Sequence, residues 1–281
     1  SEVQILSPRP KYFVTYHVEH PDLSGRLVLP VQTTKAIVIK SHSLGEVDKI
    51  ISFYTSDFGK VRSVARGIKR PKNRYGGSLE LLNYGDLVFF LRPHKDLQII
   101  NSFDILDSFN TLKDDLTKTA YAFYIAELLD ATGAEGKVNN AAFQLTLQAL
   151  STMKDVTHPQ LLVHAYELQL LTSMGFRPQL HNCVGCSGNI TGKTFRFSPP
   201  LGGMLCSKCF YKDVSALSLS RGTCELMKRM QTLDLSLVKR INASDAVKQE
   251  LKKILSTFIS FQLERQFKSL EFITNISQNG H

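Results

Sequence analysis

From Thr33 onward the chain reads as short β-branched and aromatic runs divided by turn residues. Thr34–Lys40 (TKAIVIK), Lys49–Tyr54 (KIISFY), Lys60–Arg66 (KVRSVAR), Asp86–Leu91 (DLVFFL) and Leu97–Phe103 (LQIINSF) predict five strands. Asp57-Phe58-Gly59 predicts a hairpin turn, because Gly59 can take a positive φ. The third and fourth strands are joined by a basic loop, Gly67–Gly77, broken by Pro71 and Gly76-Gly77, and the fourth and fifth across Arg92–Asp96. Five short strands with one long connection suit a small closed barrel. The OB-fold is the commonest five-stranded choice, and an SH3-like barrel reads similarly.

After about Leu112 the period changes from two to 3.6. Phe143, Leu147, Leu150 and Met153 form one helical stripe. Pro159 suits a first helical turn, opening a run with Leu161, Leu162, Ala165 and Leu168 that Gly175 and Pro178 should stop. Asn242 or Ser244 can cap a last long helix whose face is Val247, Leu251, Ile254, Phe258 and Phe261. These stripes read as core. The fold class is therefore α+β: a five-stranded barrel over residues 31–110, helices over 111–180 and 215–281, and a cysteine-bearing insertion at 181–214. Residues 1–30 hold Pro8, Pro10, Pro21 and Pro30 with balanced charge and read as a non-catalytic extension.

With 281 residues, 43% hydrophobic and 21% charged, the chain can bury a core without disulfides. Lys plus Arg outnumber Asp plus Glu by 34 to 25, and that +9 points to a polyanionic partner. No apolar run reaches the roughly 18 residues needed to span a bilayer. No secretory h-region opens the sequence, so a cytoplasmic protein is expected.

Cys183-Val184-Gly185-Cys186 and Cys206-Ser207-Lys208-Cys209 are two Cys-x-x-Cys pairs 19 residues apart. Each pair sets two thiolates on one side of a tight loop, and two such loops can close a tetrahedron around Zn²⁺. Four protein ligands leave no open position, so one structural zinc per chain is expected. A redox pair would open a helix in a βαβ unit, which neither pair does. A zinc deaminase needs His-x-Glu and then Pro-Cys-x-x-Cys. His17-Val18-Glu19 supplies the first, but Asn182 and Leu205 stand where proline is required. A ribbon folding without metal remains open. Cys224 reads as a buried free thiol.

Lys60, Arg62, Arg66, Lys69, Arg70, Lys72 and Arg74 place seven cations in fifteen residues with no acid among them. Alternate strand positions share a face, so Lys60, Arg62 and Arg66 should point the same way and track a phosphate chain. Tyr75 could stack a base. Lys239-Arg240 and Lys252-Lys253 are weaker candidates. Asp114-Asp115 is a solitary acidic pair at an expected helix start, and no Walker A loop, His-Glu-x-x-His or acidic triad is present. These absences speak against a nucleic-acid enzyme with a structural zinc and leave a non-enzymatic nucleic-acid-binding protein, with a DNA-binding protein and an RNA-binding barrel factor both open on the residues alone.

Several stretches resemble a known family. They are Thr34-Lys35-Ala36-Ile37-Val38, Leu44 through Ile50 (LGEVDKI) and Phe58 through Gly67 (FGKVRSVARG). Glu167-Leu168, Met174 through Pro178 (MGFRP), the paired cysteines and Leu270-Glu271-Phe272 continue the likeness. Together they are similar to RecO, the bacterial recombination mediators, over about residues 32–272. The resemblance implies an N-terminal OB-fold, a helical body and an inserted zinc module. It implies binding of single- and double-stranded DNA, annealing of complementary strands, and work with RecR and single-stranded-DNA-binding protein to load RecA. It also implies a nucleoid-associated cytoplasmic location, without a membrane partner. Residues 1–30 precede the usual family start.

Overall fold

The computed structural model of the chain describes residues 29–92, 95–190 and 195–279. The extension expected at 1–30 lies almost wholly outside the described residues. Five strands form a closed barrel: β1 (Val31–Leu44), β2 (Asp48–Thr55), β3 (Gly59–Ala65), β4 (Tyr84–Phe90) and β5 (Leu97–Asp107). Their order is β1-β2-β3-β5-β4, with β4 returning to β1. The β3/β5 pairing is parallel and the others are antiparallel. This is the OB-fold arrangement. All five expected strands are present, but β3 stops at Ala65 and leaves Arg66 in the following turn.

Strand β3 shows the period of two: Val61, Ser63 and Ala65 are buried, while Lys60, Arg62 and Val64 are half-buried on the outer face. In β1, by contrast, Ala36, Ile37, Val38 and Ile39 are all buried. Ala36 and Val38 face the barrel core with Phe53, Leu87, Phe89 and Phe103. Ile37 and Ile39 join the core of the helical body with Tyr54. One wall of the barrel is thus sealed on both sides, which explains the unbroken apolar run in its sequence.

The body consists of α1 (Asn110–Lys113), α2 (Leu116–Thr132), α3 (Asn140–Met153), α4 (Pro159–Ser173), α5 (Arg221–Met230), α6 (Asp245–Leu263) and α7 (Lys268–Asn279). Asp115 caps α2 by accepting from the N–H groups of Thr117 and Lys118, which accounts for one member of the acidic pair. Pro159 opens α4 as expected, and Gly175, at φ 88°, follows its end. Ser244 rather than Asn242 caps α6. The buried face of α6 is Leu251, Ile254, Leu255, Phe258 and Ile259. Phe261, expected in that stripe, is half exposed, because the buried arc runs through the i, i+3, i+4, i+7, i+8 positions and Phe261 falls outside it.

Between α4 and α5 sits a small module: β6 (Phe195–Ser198), β7 (Gly203–Cys206) and β8 (Leu217–Leu219), ordered β7-β6-β8, with a 3-10 helix at Ser207–Lys212. Because β8 pairs with β6, its sheet runs past residue 214. Phe197 meets Phe258 of α6 edge to face at 5.3 Å and ties the module to the body. Among the described residues no helix is long and apolar enough to cross a membrane.

Candidate nucleic-acid interface and metal centre

The outer face of β3 does not stand open as its sequence suggested. Lys60 is only 16% exposed; its Nζ donates to the Asp130 backbone carbonyl at 2.9 Å and pairs with Asp130 Oδ1 at 3.2 Å. Lys40 reaches the other oxygen of the same carboxylate at 2.9 Å. Burial works to raise the Asp130 pKa, but the two ammonium groups outweigh it and hold the acid below its ordinary value. Arg62 pairs with Glu135 at 3.4 Å. Lys60 and Arg62 therefore fasten the barrel to the end of α2 and the segment after it. Sequence reasoning missed Asp130 and Glu135, because they lie about seventy residues away from their partners.

Beyond Ala65 the chain does carry an open basic surface. Arg66, Lys69, Arg70 and Lys72 are exposed. Among the described residues the side chains of Arg66, Arg70 and Lys72 make no hydrogen bond or ion pair. The loop holding them is anchored: Gly67 N–H donates to Asp48 Oδ1 at 2.7 Å, Lys69 N–H to the Val47 carbonyl at 3.0 Å, and Lys69 Nζ to the Gly45 carbonyl at 3.1 Å. Arg74 is committed to structure, donating to the Ile100 carbonyl at 2.8 Å and to Tyr75 Oη at 2.6 Å. Tyr75 is buried with Leu79 in the barrel core, so its ring is not open for stacking. Lys239 and Arg240 are exposed at the end of a 3-10 turn, and Lys253 is exposed on α6 while Lys252 is half-buried.

The four paired cysteines converge. The Sγ atoms of Cys183, Cys186, Cys206 and Cys209 all lie within 4.8 Å of one another. Cys186 and Cys206 sulfurs are 3.9 Å apart, too far for a disulfide. That separation matches the roughly 3.8 Å edge of a tetrahedron with metal–sulfur bonds of about 2.3 Å. Burial opposes ionisation of Cys183, but N–H donors from Cys206, Gly185 and Cys186 outweigh it and bring the thiol to about 6. Burial and the neighbouring sulfurs push Cys209 to about 12. One thiolate forms readily and suppresses the next, which is the field a cation relieves. Gly185 is required by the close turn: a Cβ there would lie 2.9 Å from Cys209 Cβ. Cys224 stands apart, buried on α5 with Sγ against Met204 Sδ at 3.2 Å.

Comparison with known proteins accounts for both halves of the chain. The family described as Recombination protein O C terminal matches residues 113–271, and that described as Recombination protein O N terminal matches residues 30–109. The chain belongs to the RecO family of DNA repair proteins. The DNA repair protein RecO of Symbiobacterium thermophilum is 35% identical over 243 residues, 85% of this chain and 95% of that protein. That of Roseiflexus sp. is 34% identical over 248 residues, covering 88% and 87%. That of Listeria monocytogenes serovar 1/2a is 31% identical over 248 residues, covering 88% and 96%. The two RecO regions meet where β5 ends and α1 begins, and the four-cysteine module lies inside the C-terminal one.

Proposed function

We propose that this RecO-family protein binds DNA through the loop that follows β3 and acts as a non-enzymatic recombination mediator. In this reading it anneals complementary strands, and with RecR it helps load RecA on strands coated by single-stranded-DNA-binding protein. The observation that carries it is the open cation set Arg66, Lys69, Arg70 and Lys72, fixed on a closed OB-fold barrel and, among the described residues, free of carboxylate partners. Phosphates would be held by these four side chains, and Lys60, Arg62 and Arg74 would support the barrel behind them. Counterion release makes such binding sequence-independent and salt-sensitive.

The metal is proposed to be zinc, one per chain, held by Cys183, Cys186, Cys206 and Cys209. Four thiolates favour Zn²⁺ over harder cations, and the closed set gives it a structural part. Its binding would supply folding free energy to a module with a small apolar core. Annealing, nuclease and ATPase assays on one preparation test the reading. Annealing alone is the expected outcome, and metal-dependent nucleolysis would overturn it.

A further inference from the structure

Tyr75 is buried in the barrel, and a base cannot reach its ring. Among the described residues one tyrosine does stand in solvent: Tyr211, 74% exposed. It lies in the 3-10 helix Ser207–Lys212 of the four-cysteine module. That helix is held on both sides of Tyr211. Cys209 belongs to the thiol cluster, and the half-buried ring of Phe210 packs 4.7 Å from the Arg196 guanidinium. Lys212 Nζ donates to the Gly185 carbonyl. The backbone is thereby fixed while the Tyr211 ring stays free. A 3-10 helix repeats every three residues, so Lys208, also exposed, lies on the same face as Tyr211.

The sequence leading up to Tyr211 is one-sided in charge. No carboxylate occurs in the sequence between Glu167 and Asp213, whereas Arg177, Lys193, Arg196, Lys208 and Lys212 all do. Four thiolates on a divalent ion carry a net −2, which those cations exceed. Asp213, the first acid beyond, is bonded to the hydroxyls of Ser198 and Ser215, both at 2.6 Å. A rigidly mounted, exposed aromatic beside lysine, in a carboxylate-free stretch, has the make-up of a stacking platform for unpaired bases. A polyanion suits the basic balance of this stretch.

We propose that Tyr211 and Lys208 form a second contact for single-stranded nucleic acid, apart from the barrel loop. A base stacks on the Tyr211 ring and a neighbouring phosphate pairs with Lys208. The inference rests on the DNA-binding reading above and extends it, because annealing brings two strands to one protein and two contacts allow both to be held.

The chain has no tryptophan, so Tyr211→Trp introduces a single indole. The zinc-loaded full chain is titrated with labelled oligo(dT), with anisotropy reporting binding and indole emission reporting stacking. The expected result is quenching that tracks binding and reverses with salt. Tyr211→Ala should weaken binding roughly fivefold or more. Lys208→Ala should flatten the log–log salt slope by about 0.7. Zinc content equal to the parent shows that each variant keeps its module. Unquenched emission at saturating oligo(dT), with Tyr211→Ala binding as the parent does, overturns the platform and leaves the barrel loop as the site. Quenching by a protein partner alone also overturns it. If the parent itself binds no oligo(dT), this inference and the DNA-binding reading fall together.

Discussion

Lys60 Nζ lies 3.2 Å from Asp130 Oδ1 and joins the third barrel strand to the second helix of the body across seventy residues of chain. Asp130 also takes Lys40 at 2.9 Å, so one carboxylate gathers two barrel lysines. Asp130→Asn should destabilise the protein by about 1.5–3 kcal/mol at neutral pH, the range for hydrogen bonds to charged groups. The folded-state pKa of Asp130 is depressed. Its contribution is therefore present above the ordinary carboxylate value, 3.8, and is lost as pH falls through the lower folded value. Denaturant midpoints of parent and variant should differ at pH 7 and converge in strong acid.

The open loop cations predict a salt signature. Replacing Arg66, Arg70 and Lys72 together with Ala should flatten the log–log salt dependence of single-strand binding by about 2 units. Unrelated sequences should be affected alike, because phosphates carry no sequence information. Annealing should fall in parallel. Stability should shift by less than about 0.5 kcal/mol, since these side chains are exposed. A Lys239/Arg240/Lys252/Lys253 set of alanines is the comparison: a flattened slope there and an unchanged one in the loop variant would move the site to the body.

The metal centre predicts unequal cysteines. Cys183→Ser should lower zinc content and destabilise the module, because it removes one of the four converging thiols proposed to hold the metal. Cys224→Ser should leave zinc stoichiometry unaltered. It should still cost about 1–3 kcal/mol, because it buries a hydroxyl against Met204. Atomic absorption on purified protein and a thermal melt separate the two effects.

Two glycines with similar backbone angles predict different costs. Gly59 has φ +65° and Gly45 has φ +61°. A Cβ on Gly59 would lie 2.2 Å from the Lys137 carbonyl oxygen, whereas one on Gly45 would meet nothing within 4 Å among the described residues. Gly45→Ala should cost about 1–2 kcal/mol through the left-handed backbone alone. Gly59→Ala should cost distinctly more, since the barrel and the 134–137 segment must separate. Urea midpoints of the two variants measured side by side check the ordering.

The barrel strands, the helices and the two cysteine pairs were legible in sequence because each depends on neighbours close along the chain. Period-two alternation marks a strand whose single face is buried, as in Val61, Ser63 and Ala65. Pro159 suits a helix start wherever it occurs, and the Cys-x-x-Cys spacing builds its loop locally. What the tertiary structure alone decided is which charged and aromatic groups remain free. Lys60 and Arg66 look alike in the sequence, yet Lys60 lies against Asp130 and Arg66 faces solvent. Tyr75 and Tyr211 are equally eligible to stack a base, yet of the two only Tyr211 is exposed. In each case the deciding partner comes from a distant segment, and a local pattern carries no information about where that segment packs.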